Sequence, residues 1–330
     1  YLIIGSNDTK NMIEIISPSR LHLTLIDMNA EIGRVDGGVG ITLDSPHVRL
    51  LAEKSDKIEI IGTSPLADRM HMAAKAVLPS GDGIRIQIEE DMPAHVGLGS
   101  GTQSAVSAAA AVNELYGLGL SVRELAIAVG RGGTSGIGVA AFEKGGFIVD
   151  GGHKFSDKGA FSPSAASRAD PAPVLFRHDF PDWDIVLALP DTQGAHDAKE
   201  VDIFKKECPI PIHEVQQVAH IILMQMMPAV LENDIESFGY AVNSLLTVGF
   251  KKREVELQSK SVRDVIEFMQ DSGTYGAGMS SFGPAVYGFV DSRIQANQIK
   301  NDVQKMLDET IGGRVMITRA NNSGAKISGA

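Results

Sequence analysis

The chain has 330 residues, 43% of them hydrophobic, with 30 basic against 41 acidic side chains and a net charge of −11. Such a length and apolar content bury a sizeable core in one large domain or two closely packed ones, which excludes disorder as the main state. The acidic balance disfavours nucleic acid and anionic membrane surfaces as partners, no run reaches the ~18 apolar residues that span a bilayer, and the single Cys208 supports neither a disulfide nor a CxxC metal pair.

Tyr1 to Asn11 lack the features of a signal peptide and read as an extension before Met12; a cytoplasmic protein is expected. Strands are predicted at Met12 to Ile16, Leu21 to Asp27, Val39 to Leu43, Val48 to Ala52 and Ile58 to Ile61, each bounded by Gly, Pro, Asn or Asp. A helix from Leu66 to Leu78 comes next, then an alternating strand from Gly83, a glycine-rich turn and an alanine-rich helix ending near Leu115. A helix Val122 to Val129 and a strand Gly145 to Val149 lead into Gly151 to Pro173, rich in Gly, Ser, Ala and Pro. The domain boundary is placed there, giving domains 12–160 and 174–330.

The second half reads as a strand Trp183 to Leu189 and helices near Asp197 to Glu207, Ile212 to Met227, Asp234 to Thr247 and Ser259 to Gln270. A glycine-rich loop, a strand Val286 to Val290, a helix Ser292 to Asp308 and a strand Arg314 to Thr318 complete it. Met224, Met226 and Met227 read as core filling, and Lys251-Lys-Arg253 as a helix cap or solvated face. Strands and helices without βαβ regularity indicate α+β layers.

The most informative stretch is Pro93-Ala-His-Val-Gly97-Leu98-Gly99-Ser100-Gly101-Thr102-Gln103. Amides at a helix start have no intrahelical partners and lie at the positive end of the helix dipole, so a glycine turn entering a helix makes an anion cradle. Its spacing fits neither the Walker nor the Rossmann glycine pattern. It resembles the second motif of the GHMP small-molecule kinase superfamily, P-x-x-x-G-L-G-S-S, with Gly101 in place of the second serine. Ser17-Pro-Ser-Arg20-Leu-His22-Leu23 resembles the first motif, and Gly276-Ala-Gly-Met-Ser280-Ser281-Phe-Gly-Pro-Ala-Val286 the third. The resemblance implies an α+β fold with an S5-like N-terminal domain, a ferredoxin-like C-terminal domain and a ligand cleft between them.

Many kinases of this superfamily carry a carboxylate just before the strand that follows the second conserved helix, yet Gly130 to Val139 contains neither Asp nor Glu. The blocks Ser19 to Asp27, Gly33-Arg34-Val-Asp36-Gly37-Gly38-Val-Gly40, Gly130-Arg131-Gly-Gly-Thr134-Ser135-Gly136 and Phe147 to His153 instead resemble the β-ribofuranosylaminobenzene 5'-phosphate synthase branch of methanopterin biosynthesis. That resemblance implies condensation of phosphoribosyl pyrophosphate with 4-aminobenzoate, or 4-hydroxybenzoate, with loss of pyrophosphate and carbon dioxide and no use of ATP. A magnesium ion is expected with the pyrophosphate.

Under that reading Gly97, Leu98, Gly99, Ser100, Gly101, Thr102, Ser280 and Ser281 contact phosphate, and Arg20, His22, Gly37, Gly38, Arg131, Thr134 and Ser135 contact substrate. Asp27 answers positive charge at the ribose carbon or holds the metal, while Arg34, seven residues on, shares its pocket through a hairpin and meets the pyrophosphate. Asp150 and His153 read as a turn, and His196 as a weaker site candidate. An ATP-dependent small-molecule kinase and a catalytically silent ligand sensor are the alternatives, and a homodimer is left open.

Overall fold

Two long antiparallel strands, β1 (Met12–Asp27) and β2 (Arg34–Ser55), organise the N-terminal half. The breaks predicted near Pro18 and Pro46 do not end them, because the register jumps there: Pro18 pairs with His47 and Ser19 with Leu43, leaving residues 44–46 unopposed. A bulge is where a strand tolerates proline. The computed structural model describes residues 12–163, 166–192 and 198–329, so the calls on Tyr1 to Asn11 and His196 lie outside the described residues.

After the hairpin come β3 (Glu59–Ile61), α1 (Ala67–Val77), β4 (Gly83–Glu90), α2 (Ser100–Tyr116), α3 (Val122–Ala128), α4 (Ile137–Glu143), β5 (Phe147–Asp150), β6 (His153–Lys154), α5 (Phe155–Lys158) and β7 (Val174–His178). One eight-stranded sheet joins β12-β1-β2-β4-β3, with β5 and β6 on β2 and β7 on β5. Helix α2 packs on this sheet and on α1; its Ala108 to Ala111 run is buried, and small side chains allow close approach.

The second half runs β8 (Asp184–Pro190), α6 (Ala198–Glu207), α7 (Ile212–Ile221), a π-helical turn over 222–226, α8 (Met227–Glu232), α9 (Ile235–Leu245), α10 (Gly249–Glu256), α11 (Lys260–Asp271), β9 (Gly276–Met279), β10 (Val286–Val290), α12 (Arg293–Asp308), β11 (Gly313–Thr318) and β12 (Lys326–Gly329). The sheet order β11-β8-β10-β9 is the ferredoxin-like arrangement. β8 alternates across it: Val186 and Ala188 join a core with α11 and α12, whereas Ile185, Leu187 and Leu189 join the main core with Phe238 and the N-terminal sheet. That shared core, including the Phe147, Phe180 and Phe238 rings, welds the halves together.

Several expectations change. β7 and β12, placed by sequence in the C-terminal domain, both extend the N-terminal sheet. The helix predicted through Met227 widens into the π turn just ahead of Pro228, whose missing N–H and bulky ring disrupt regular pairing with the preceding turn. Met226 fills core, but Met224 is exposed. Gly276–Met279, read as loop, is strand β9. No helix among the described residues is long and apolar enough to cross a membrane.

Candidate active site

All three sequence motifs meet at one serine. Ser280 Oγ donates to the Gly97 carbonyl at 2.6 Å and accepts from the His22 backbone amide at 2.9 Å, while the Ser281 amide donates to the His22 carbonyl at 2.9 Å. Arg20 N bonds Leu98 O at 3.1 Å, and Ala285 N bonds Val96 O at 3.1 Å. Ser280 is therefore a bolt between motifs, buried with its one hydroxyl proton given to Gly97, and it does not line the neighbouring cavity where a phosphate contact was expected. Leu98 likewise turns into the core, whereas Ser281 faces the cleft.

Beside this bolt lies a cavity of about 200 Å3 opening on the start of α2. Gly99 caps that helix at φ +82°, a backbone setting that favours glycine, and supplies no side-chain oxygen to the first amides. No acidic residue occupies the first turn. Around it stand Arg20, Arg69 and Arg131, and no carboxylate is ion-paired with any of them among the described residues. Burial and the Arg131 charge push Arg20 down to about 10, and burial and Arg69 push Arg131 down to about 10. Both stay cationic at neutral pH, and their mutual repulsion is what a bound polyanion would relieve. Arg20 donates to the Gly97 carbonyl, and Arg131 Nε to Thr102 Oγ1 at 3.2 Å. Gly101 is where a Cβ would meet the tips of Arg69 and Arg131, so the missing second serine makes room for guanidinium.

Part of the cavity wall is apolar. Leu25, Phe204 and Phe282 line it and pack with Met28 and Phe250 behind. His22 enters this wall 5% exposed, and neither ring nitrogen has a hydrogen-bond partner. Burial first, then Arg20 and Lys251, hold it well below its ordinary pKa, so the ring is neutral at physiological pH. Ser135 and Thr134 also line the cavity, and Gly38 has no side chain where one would meet Ser135 Oγ, Asp150 Oδ2 and His22 Nε2. Gly37, within β2 against the Asp150 carbonyl, does not line it.

Lys251, read as a solvated or capping lysine, is 1% exposed. It lies on α10 against Glu254 and donates to the Met279 and Ser281 carbonyls at 3.1 and 3.2 Å, holding the third motif in place. Burial pushes the Glu254 carboxyl up and the Lys251 ammonium down, each opposed by the other's charge. Glu254 and Glu200 are the carboxylates lining the cavity among the described residues, and neither was singled out from sequence.

Asp27 and Arg34 flank the β1–β2 turn as expected but do not face the glycine cradle. Asp27 Oδ1 accepts from the Asn29 and Ala30 amides at 2.8 and 3.0 Å, tying the turn. Arg34 donates to the Gly151 and Gly152 carbonyls and lines a second cavity with Arg123, His153, Lys154 and Arg168. A buried network joins the two cavities: His153 Nδ1 and Lys158 Nζ reach Asp36 at 2.7 and 2.6 Å, and Lys158 also donates to Thr134 Oγ1 at 3.0 Å. Asp150 and His153 are thus buried network members and more than a turn. Burial raises the Asp150 carboxyl to about 6 despite bonds from the Gly152 and Gly136 amides and Ser135 Oγ.

No group of three His, Cys, Asp or Glu among the described residues is arranged to hold a metal. A hard cation in this cleft would depend mainly on phosphate oxygens, with Glu200 as a facing carboxylate, which is how Mg²⁺ is commonly shared with a substrate.

The chain matches the GHMP kinases N terminal domain over residues 66–146 and the GHMP kinases C terminal domain over 226–309. Mevalonate kinase from L. major, solved with R-mevalonate, shares the fold at TM-score 0.70 and 16% identity, covering 94% of this chain and 96% of that one. Homoserine kinase from Cytophaga hutchinsonii superposes at TM-score 0.66 and 18% identity over 99% of this chain and all of its own. The protein belongs to the GHMP kinase superfamily. Within it, the chain is 44% identical to the beta-ribofuranosylphenol 5'-phosphate synthase of Archaeoglobus fulgidus, over 96% of this chain and 99% of that protein. The enzyme of that name from Methanothermobacter thermautotrophicus is 46% identical, over 95% and 98%.

Proposed function

We propose that the protein transfers the 5-phosphoribosyl group of phosphoribosyl pyrophosphate to the carboxyl-bearing ring carbon of a para-substituted benzoate, releasing pyrophosphate and carbon dioxide. The relatives are named for a phenol product, which favours 4-hydroxybenzoate over 4-aminobenzoate. The observation that carries the reading is the cradle: three arginines, in no ion pair with a carboxylate among the described residues, around an uncapped glycine helix start in a cavity that is also lined by Leu25, Phe204 and Phe282. Pyrophosphate fits the arginines and a benzene ring the apolar side chains.

In the reaction the bond from ribose C1 to pyrophosphate oxygen breaks, and its electron pair leaves with pyrophosphate. The ring carbon bonds to C1, then the ring–carboxylate bond breaks, its pair returning to the ring as carbon dioxide departs. Charge balances with no net proton taken up or lost. The cradle stabilises the departing anion, typically the largest electrostatic contribution, and a magnesium ion bound with the substrate would neutralise pyrophosphate further; Asp27 and Arg34 stand away from it and carry no step here. The test is incubation with phosphoribosyl pyrophosphate and carboxyl-labelled 4-hydroxybenzoate or 4-aminobenzoate, with labelled carbon dioxide as readout. ADP formation from ATP and a small alcohol, with no labelled gas from either benzoate, overturns the proposal in favour of a kinase.

A further inference from the structure

Both ring nitrogens of His22 are buried, without a partner, in a side chain that lines the cavity. An orphaned buried polar atom costs free energy unless something fills its hydrogen bond, and residues of this kind mark ligand contacts. The surroundings narrow the ligand. Leu25, Phe204 and Phe282 form the wall, with the Phe204 and Phe282 centroids 6.1 Å apart. Ser135 Oγ, Asp150 Oδ2 and His22 Nε2 crowd the point where a Cβ on Gly38 would sit, so glycine there lets the cavity-lining Ser135 and His22 approach each other. An aromatic ring carrying one hydroxyl matches that wall and the unpartnered His22 nitrogens beside Ser135, whereas the anionic groups of the sugar phosphate match the arginines.

Resting on the proposed reaction, we infer that His22 meets the para hydroxyl of the acceptor and takes its proton while the ring attacks the ribose carbon. The ring carbon para to that oxygen is the one bonding to C1. As its electrons move into the new bond, the oxygen becomes a carbonyl and releases its proton to an imidazole nitrogen. When carbon dioxide leaves, the freed pair moves back through the ring to the oxygen, which retakes the proton. The step balances without a further reactant, and a weakly basic imidazole suffices because the oxygen is strongly acidic only while the bond forms.

The experiment compares wild type with His22→Gln, which can hydrogen bond but not shuttle a proton, and His22→Leu, which can do neither. Calorimetry with pyrophosphate present measures the binding of 4-hydroxybenzoate and of benzoate, which lacks the para group. Labelled carbon dioxide release gives kcat. The expected result is about a hundredfold or greater loss of kcat in both variants. 4-Hydroxybenzoate affinity should fall roughly tenfold in His22→Leu and little in His22→Gln, with benzoate affinity and the KM for phosphoribosyl pyrophosphate unchanged. Undiminished kcat in a folded His22→Gln, or equal weakening of both benzoates in His22→Leu, overturns this role and leaves the reaction standing. A wild type that releases no carbon dioxide overturns both.

Discussion

Replacing Gly101 with alanine isolates the reason this chain departs from the kinase motif. A methyl group there would overlap Nη1 of Arg69 and approach Arg69 Cζ to 3.2 Å and Arg131 Nη2 to 3.1 Å. The obstacle is the tip of a flexible side chain, and alanine gains up to ~1 kcal/mol over glycine inside a helix. Folding stability should therefore hold or rise slightly. Arg69 must leave the cradle, however, and losing one charge-assisted bond to a bound anion costs about 1.5–3 kcal/mol. Pyrophosphate should then bind roughly ten- to a hundredfold more weakly. Gly97→Ala supplies the contrast, since its φ is +87° and its Cβ would overlap the Ser280 carbonyl, which cannot swing aside; that variant should lose Tm. The pair is read by pyrophosphate calorimetry and thermal unfolding. Unchanged pyrophosphate affinity in Gly101→Ala, or a Tm loss matching Gly97→Ala, refutes the reasoning.

Lys251→Met strands the buried Glu254 charge and frees the third motif, so urea unfolding should show a loss of about 3–5 kcal/mol, partly recovered in Lys251→Met/Glu254→Leu. Asp150 has a folded pKa of about 6 against an ordinary 3.8, so the folded state binds more protons between those values. Stability should fall by about 3 kcal/mol as pH rises from near 4 to above 6, and denaturant curves of Asp150→Asn should lack that slope. Asp27→Asn and Arg34→Gln should leave pyrophosphate affinity intact and change kcat/KM by well under the roughly hundredfold scale of a lost transition-state stabiliser, because neither lines the cradle; a hundredfold loss in either variant returns that residue to the mechanism.

The cradle was legible because a proline, the glycine spacing and the following alanine run constrain one another between Pro93 and Ala111. The arginines were only partly so. Arg20 and Arg131 sit in glycine-rich blocks, but Arg69 lies on amphipathic α1, where an arginine ordinarily marks the wet face. Lys251 was misread because its neighbours Lys252 and Arg253 look solvated and α10 carries no apolar repeat; the available clue was the i,i+3 pairing with Glu254. Asp27 and Arg34 were correctly given a hairpin, yet hairpin geometry says nothing about which way the turn leans. β12 escaped notice because all four of its residues are exposed, leaving no hydrophobic alternation to read.

An overall charge of −11 opposes a polyanionic substrate at long range, and the resolution lies in distance. Exposed charges farther away than a Debye length, about 8 Å at physiological ionic strength, are largely screened. Buried charges at contact are not. Arg20 and Arg131 are desolvated, so whatever anion enters meets their field at nearly full strength only after it has shed water against the α2 amides. Selectivity for a polyanion is then decided at the cradle, not during approach. Because the proposed substitution is proton-neutral overall, the cleft needs concentrated positive charge at one end and only a reversible proton acceptor at the other. A kinase on the same scaffold must also take a proton from an alcohol permanently, which is the task of the carboxylate that Gly130 to Val139 lacks.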